Sequence, residues 1–438
     1  MTFPIYNAIQ NGFRRGDSHV MSLTRQCSHL RILNGSHKTS IACPTAPTLR
    51  RDSRRPRFTT SIQSKSTCTA SVFLQYRTFA SANSVFSKDV KSPLKSKAYV
   101  GLVGARGHIG RALCTLLDSH PNFELTHISS RELAGSTVAD YTKSTITYEN
   151  LSPEDVRNLE ASDAVDCWVL ALPNGLSDPY IAAIDAASSQ TNAKTVVVDL
   201  SADHRFDNSW TYGLPELTGR TDIARATRIS NPGCFSTAAQ LALAPVLKFT
   251  SNRPTVFGVS GYSGAGTKPS PKNDLDLLRD NILPYGVVDH VHEREISMKL
   301  GRHVSLIPHV SSWFQGILLS ISVSLNTRLT TAQVGQVYRE YYPDEKLISI
   351  VNDTPLVRQI SGTHGVEIGG FTVDHGGNRL VVFATIDNLN KGGATQCLRE
   401  FSTTDFPSLL VMLIFLEENM NLALGFPEFD GIPIPPPP

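Results

Sequence analysis

The stretch "RISNPGCFSTAAQLALAPVL", Arg228 to Leu247, puts one thiol, Cys234, directly after Pro232 and Gly233 and at the mouth of an alanine-rich run. Strong helix formers continue to Pro245, so the spacing predicts a helix that opens at Cys234. Asn231 can cap it, Pro232 suits its first turn, and Gly233 leaves space beside the sulfur. A helix N-terminus offers free N–H groups and a positive dipole end, which lower a thiol pKa and favour the thiolate. A lone cysteine in an apolar stretch is usually a small core residue. The helix-start position, together with a nucleotide-binding pattern upstream, points instead to a nucleophile.

A thiol nucleophile needs a group that takes and returns a proton. The best candidate lies in "DHVHEREISMKLG", Asp289 to Gly301, which reads as a helix with Gly301 just past its end. His292, Glu295 and Ile296 then share a face, with Ile296 turned to the core. His292 is the expected acid/base group, and Glu295 is placed to meet substrate. A surface histidine in a charged first turn is the plainer alternative.

These groups need a scaffold, and the sequence provides one upstream. "KAYVGLVGARGHIGRALCTLLDSHP" reads as a strand, a turn carrying Gly104, Gly107 and Gly110, and an amphipathic helix. That context is the one in which glycines admit a pyrophosphate and a helix N-terminus binds it. Arg106, Gly107, His108, Ile109 and Gly110 are the expected contacts, beside Gly104. The spacing is G-x-x-G-x-x-G, and a tight strand-to-helix turn without a nucleotide would read the same. "FELTHISSRELAG" adds a second strand ending in Ser129, Ser130 and Arg131. Hydroxyls and an arginine at that strand end suit a 2′-phosphate, where an acidic residue would hold a free ribose hydroxyl. NADP is therefore expected over NAD.

Two further apolar runs, "VDCWVLALPNG" and "KTVVVDLSADHRF", read as buried parallel strands. They end at Pro173 and Asn174, assigned to cofactor, and at Ser201, assigned to substrate. Open α/β sheets bind ligands at such strand ends. "GVSGYSGAGTKPSPKND", Gly258 to Asp274, is rich in glycine and hydroxyls and contains Lys268. Such a loop can wrap an anion with backbone N–H groups or can simply be mobile. Ser263, Gly264 and Lys268 join Asn231 as expected substrate contacts.

The whole chain of 438 residues has 40% hydrophobic and 18% charged residues, enough for about two folded domains with real cores. A formal net charge of +2 gives no global signal for nucleic acid. The longest apolar run, "LLVMLIFL", falls well short of the ~18 residues of a membrane span. The 7 cysteines are scattered and odd in number, which argues against a disulfide framework and against a zinc site, so no metal is expected. Residues 1–95 are different: up to Ala80 the only acidic side chains are Asp17 and Asp52, among many arginines, serines and threonines. That is the composition of an organelle transit peptide. A basic tail that binds something anionic is the alternative.

Taken together, "SNPGCFSTAAQLALAP", "GVSGYSGAGTKPSPKND", "HVHEREIS", "DLSADHRF", "YGLPEL" and "DNLNKGGATQC" resemble the N-acetyl-gamma-glutamyl-phosphate reductase family, mitochondrial fungal branch. The resemblance runs from about Ala98 to Gln396 and resumes at "ENMNLALGFPEFDGIP". It implies an α/β architecture: a Rossmann-type dinucleotide-binding domain plus an α+β catalytic domain of the aspartate-semialdehyde dehydrogenase type. On that basis residues 96–233 form the NADP-binding domain, completed by 388–425, and residues 234–387 form the catalytic and dimerisation domain. The family's nucleophile falls on Cys234 and its acid/base histidine on His292. Asn388 lies in a segment that returns to the cofactor. Asn390 and Gly393 depart from the apolar residue and the alanine usual there.

The implied reaction is NADPH-dependent reductive dephosphorylation of N-acetyl-glutamyl 5-phosphate to N-acetylglutamate 5-semialdehyde, through a Cys234 thioester, in arginine biosynthesis. The implied setting is the mitochondrial matrix, with a homo-oligomer and no nucleic acid or membrane. Members of this branch often come as the C-terminal half of a precursor that also holds acetylglutamate kinase, so this chain is either stand-alone or a piece of such a precursor. Three rivals stay open: a sister reductase acting on another acyl phosphate, a Cys–His thiol hydrolase, and an inactive homologue. The last is raised by "REFSTTDFPSLLVMLIFLEE", residues 399–418, which interrupts what the family builds as one helix. It reads as an insertion or as translated intron.

Overall fold

The computed structural model describes residues 97–191, 194–398, 419–426 and 428–434. The expected leader (1–95) and the segment 399–418 lie outside the described residues.

Residues 97–233 build a six-stranded sheet from β1 (Ala98–Val103), β2 (Phe123–Ser129), β3 (Cys167–Leu170), β4 (Val196–Asp199), β5 (Thr211–Tyr212) and β6 (Arg228–Ser230). Its order is β2-β1-β3-β4-β6-β5, with every neighbouring pair parallel. The interior strands are apolar on both faces: all four residues of β3 and all four of β4 are buried. Both faces of such a sheet are covered, which explains why the sequence showed runs without alternation. The chain goes from β1 out to β2 and then returns to β3 on the other side of β1. The strand order therefore reverses between β1 and β3, where open α/β sheets bind ligands at the strands' carboxyl ends.

Residues 255–386 build a second, mixed sheet from β7 (Thr255–Gly261), β8 (Ile282–Pro284), β9 (Ser305–Ser311), β10 (Ile317–Ser324), β11 (Ile348–Ile350), β12 (Val366–Val373) and β13 (Arg379–Ile386). The order is β11-β12-β13-β10-β7-β9-β8. Strand β10 shows why this sheet has one packed face: Ile317, Leu319, Ile321 and Val323 are buried, while the alternating Leu318, Ser320 and Ser322 are half-exposed. The helices Cys234–Leu243, Val291–Lys299 and Thr331–Tyr341 cover the packed face.

After β13 the chain crosses back. Ala394, Cys397 and Leu398, then Met420, Leu422, Phe426 and Ile432, bury in the same cluster as Leu113, Leu117 and Val198 of the first sheet and its helix. His120 ties down this return. Its Nε2 lies 3.0 Å from Asn421 Oδ1, and its Nδ1 accepts the N–H groups of Asn122 (3.1 Å) and Phe123 (3.0 Å).

Candidate active site

The helix Cys234–Leu243 begins at the thiol, but its N-cap is Gly233 rather than Asn231. Asn231 is buried two residues earlier, and its Nδ2 donates to Gly393 O at 3.3 Å. Gly233 is the contact point with the histidine. A Cβ there would lie 2.3 Å from His292 Nε2 and 2.7 Å from Arg205 Nη1, so a side chain at 233 would displace the histidine and the arginine. Phe235, the next residue after the thiol, has its ring centroid 5.9 Å from that of His292. The helix Val291–Lys299 thus delivers His292 to the start of the Cys234 helix. Ile296 is buried in the core and anchors the helix, and Gly301 follows with the positive φ of 62° that ends it.

The second histidine of that segment has another task. His290 is the N-cap of the helix, and its Nδ1 accepts the His292 N–H at 3.2 Å. Among the described residues, the buried His292 Nδ1 has no hydrogen-bond partner, and the same holds for Asn231 Oδ1. Two buried polar atoms without partners at one turn are what a ligand's hydrogen-bonding groups would satisfy.

Glu295 is fully buried, and the protein uses both of its oxygens. Oε1 accepts from Tyr212 Oη (2.7 Å) and Gly233 N (3.0 Å), while Oε2 pairs with Arg205 Nη1 (3.1 Å). The carboxylate expected at the substrate therefore sits behind the thiol turn.

The charge state of the thiol differs from the helix-dipole expectation. Burial pushes Cys234 up to about 11, against the lowering effects of the Phe235 N–H and of Arg205. Burial also pushes His292 down to about 3, which the charge of Glu295 only partly opposes. The resting pair is thus a neutral thiol beside a neutral imidazole. Cys234 is half-buried, and the desolvation this brings outweighs the helix dipole.

On the nucleotide side, Gly104 follows β1 with a φ of 91°, and a Cβ there would meet Ala171 O at 2.3 Å. The turns after β1 and β3 therefore touch at the point where strand order reverses. Gly110 lets the helix His108–Ser119 pack on the turn, since its Cβ would fall 2.6 Å from Ala105 Cα. Gly107 is that helix's N-cap, and a Cβ there would meet only Gly104 O, at an ordinary contact distance of 3.7 Å. This cradle of glycines and helix N–H groups fits a dinucleotide pyrophosphate.

At the end of β2, Arg131 is exposed beside Tyr180, and Arg106 reaches the same region with Nη1 3.0 Å from Glu132 Oε2. Ser129 and Ser130 are buried there, and their hydroxyls accept from Leu151 N and Leu133 N. Pro173 and Asn174 are exposed at the end of β3, where Asn174 Oδ1 accepts from Ala202 N at 3.0 Å.

The loop after β7 lies near this cradle. A cleft of about 730 Å³ is lined by His108, Tyr262, Gly266, Thr267 and Ser270. Gly264 and Lys268 are exposed on the loop, whereas Ser263 is buried and accepts from Asn388 Nδ2 at 2.9 Å. Asn388 Oδ1 accepts from Gly316 N at 2.7 Å, so its side chain pins two loops together. Ser201 is likewise buried, donating to Asp199 Oδ2 at 2.6 Å. Gly392 backs onto Cys234, and Ile109 meets the space above Gly393. The return segment therefore links the glycine turn to the thiol.

Models of the semialdehyde dehydrogenase NAD binding domain and of the semialdehyde dehydrogenase dimerisation domain match residues 99–226 and 234–388. The mitochondrial protein arg-6 of Neurospora crassa is 52% identical over 336 residues, covering 77% of this chain and 36% of that protein. The N-acetyl-gamma-glutamyl-phosphate reductase of Xanthomonas campestris pv. campestris is 47% identical over 336 residues, covering 76% of this chain and 98% of that protein. The chain belongs to the N-acetyl-gamma-glutamyl-phosphate reductase family. It spans about a third of the length of the fungal relatives it matches. In fold it is similar to aspartate semialdehyde dehydrogenase II of Vibrio cholerae, with a TM-score of 0.57 at 19% identity over 69% of this chain and 96% of that one.

Three members of the site were not singled out from the sequence: Arg205, Tyr212 and Gly392. Arg205, Tyr212 and Gly392 lie within the quoted motifs "DLSADHRF", "YGLPEL" and "DNLNKGGATQC", yet nothing local marks them as neighbours of Cys234. Their role exists only across the sheet-to-helix contact.

Proposed function

We propose that this chain reduces N-acetyl-glutamyl 5-phosphate to N-acetylglutamate 5-semialdehyde and phosphate with NADPH, as a step of arginine biosynthesis. The observation that carries the reading is the meeting of Cys234, at a helix start, with His292 across Gly233, beside a glycine cradle. Family membership narrows the substrate to this acyl phosphate.

In the proposed reaction Cys234 Sγ attacks the acyl carbon while His292 takes the thiol proton, so the neutral pair becomes thioester and imidazolium. The C–O bond to phosphate breaks, and His292 returns the proton to the departing phosphate. NADPH, when bound, would supply the hydride needed to reduce the thioester carbonyl. N–H groups of the helix start are the donors for the oxyanion in both steps. The C–S bond then breaks, which frees the aldehyde and leaves a Cys234 thiolate that takes up a proton from solvent.

Gly104, Arg106, Gly107, His108, Ile109 and Gly110 would hold the pyrophosphate, and Arg131 with Arg106 the 2′-phosphate. Residues 96–233 with 388–425 serve as the NADP-binding domain and 234–387 as the catalytic and dimerisation domain. The matched dimerisation model supports a homo-oligomer. The basic leader and the relatives named mitochondrial support a place in the mitochondrial matrix. An acetylglutamate kinase is the partner that would supply the acyl phosphate.

The test is Cys234→Ser, assayed with N-acetyl-glutamyl phosphate and, in parallel, with aspartyl phosphate. Loss of semialdehyde formation in a folded variant is expected, with activity in the parent on the acetylated substrate alone. Parent-like turnover in the serine variant, or a preference for aspartyl phosphate, overturns the reading.

A further inference from the structure

The turn from Asn231 to Cys234 joins the two sheets' worlds, and two buried charges hold it from behind. Arg205 is 6% exposed and Glu295 0%. Arg205 follows β4 in the nucleotide-binding part, while Glu295 comes from the helix that carries His292. The guanidinium grips three points: Nε donates to Asn231 O (2.8 Å), Nη2 to Leu200 O (3.0 Å) and Nη1 to Glu295 Oε2 (3.1 Å). The carboxylate takes the other end of the same turn, accepting from Gly233 N at 3.0 Å. The turn's first carbonyl is thus held by the positive partner and its last N–H before the thiol by the negative one.

We propose that Arg205 and Glu295 are a positioning pair for the nucleophile: they fix the Asn231–Cys234 turn from both ends and balance the charge beside its thiol. The inference rests on reading Cys234 as the nucleophile. A buried ion pair adds little stability compared with apolar residues of the same volume, so its presence under this turn is better explained by geometry and charge. Arginine's planar fork makes three bonds in fixed directions, which an ammonium group would not reproduce. The bond from Tyr212 Oη (2.7 Å) to Glu295 completes the carboxylate's shell.

The two charges act on the thiol in opposite senses. Arg205 favours the thiolate and Glu295 disfavours it. The other groups facing the site are Tyr285 near the thiol, His292 against Gly233 and Tyr212 on Glu295, with His290, Lys272, Glu293 and Lys299 around them. None of these is substituted in the variants below, although Glu295 and Arg205 act on His292, and Glu295 on His290 and Lys299, as well as on the thiol. Removing either charge therefore moves the thiol in a direction set by sign, whereas a scaffold with no electrostatic role would respond alike to both losses.

The experiment measures alkylation of Cys234 by iodoacetamide against pH in the full chain, read by mass spectrometry on the Cys234 peptide. Glu295→Gln keeps an oxygen for Gly233 N–H and removes the charge. It should speed alkylation at pH 7 about tenfold, a one-unit fall of the thiol pKa. Arg205→Met should slow it by about the same factor. The double variant should return to within about threefold of the parent, since the opposing charges leave together. Arg205→Met strands a buried carboxylate, so if it does not fold, Glu295→Gln and the double variant decide. Shifts of the same sign in both single variants, or a Glu295→Gln profile unmoved from the parent, overturn the proposal. Alkylation reads the thiol whether or not Cys234 attacks substrate, so this result is separate from the Cys234→Ser assay.

Discussion

Gly392 packs directly on Cys234: a Cβ at position 392 would lie 2.7 Å from the Cβ of Cys234 and 3.0 Å from Asp387 O. The segment that returns from the second sheet to the first therefore passes over the nucleophile with no room for a side chain. Gly392→Ala should leave the fold intact but displace the thiol. A misplacement of about 1 Å at a reacting atom costs on the order of a hundredfold in kcat. Steady-state kinetics with circular dichroism as the folding control checks this, and a parent-like kcat would show that the thiol does not depend on that contact.

The two histidines of "HVHEREIS" should separate cleanly. His292→Ala should lower kcat by about a hundredfold or more, the usual effect of losing a positioned proton-transfer group. His290→Ala removes a helix cap and should cost about 1 kcal/mol of stability while turnover largely survives. A kinetic loss at position 290 with turnover kept at 292 would reverse the assignment.

Arg131 is exposed at the end of β2 with Arg106 nearby. Arg131→Ala should raise the KM for NADPH by about tenfold or more and leave that for NADH almost unchanged, since only the former carries the 2′-phosphate. Equal changes for both cofactors would remove Arg131 from that role.

His120 makes the return segment acid-sensitive. Burial pushes its pKa down from 6.5 to about 3. Its Nδ1 accepts two backbone N–H groups, so a proton there would face donors on both bonds. The unfolded chain binds that proton below about pH 6.5 and the native chain does not, so stability falls as pH drops from 6.5 toward 3. His120→Asn should be less stable than the parent at pH 7 yet lose less on going to pH 4.5, as urea midpoints at the two pH values will show. An equal loss in both proteins would place the acid sensitivity elsewhere.

The segment 399–418 is proposed to be dispensable. Its flanks already meet: Leu398 and Met420 are buried in one cluster, and Cys397 Sγ lies 3.5 Å from Met420 Sδ. A chain in which Leu398 is followed directly by Asn419 should be more soluble, with activity at least equal to the parent. Loss of folding in that variant would mean the segment packs and is needed. The mature transcript, read directly, tells an insertion from a retained intron.

Much of this protein is fixed by local sequence. The strands around Val100, Val169 and Val197, the glycine turn at Gly104–Gly110, and helices opening at Cys234 and Val291 all depend on short-range periodicity and turn chemistry, which a linear reading captures. That His292 lies close to the start of the Cys234 helix, against Gly233, is in line with the sequence expectation that the two could meet. Long-range packing decided the rest. Arg205 and Glu295 lie far apart in the chain, and only the docking of a helix on the first sheet's loops makes them a pair. That docking also half-buries the thiol, so desolvation raises its pKa where the helix start alone would lower it. Asn388 and Ser263, polar residues in loops expected to face ligands, turn inward to each other for the same reason: burial requires each to find a partner, and the nearest one belongs to the other loop.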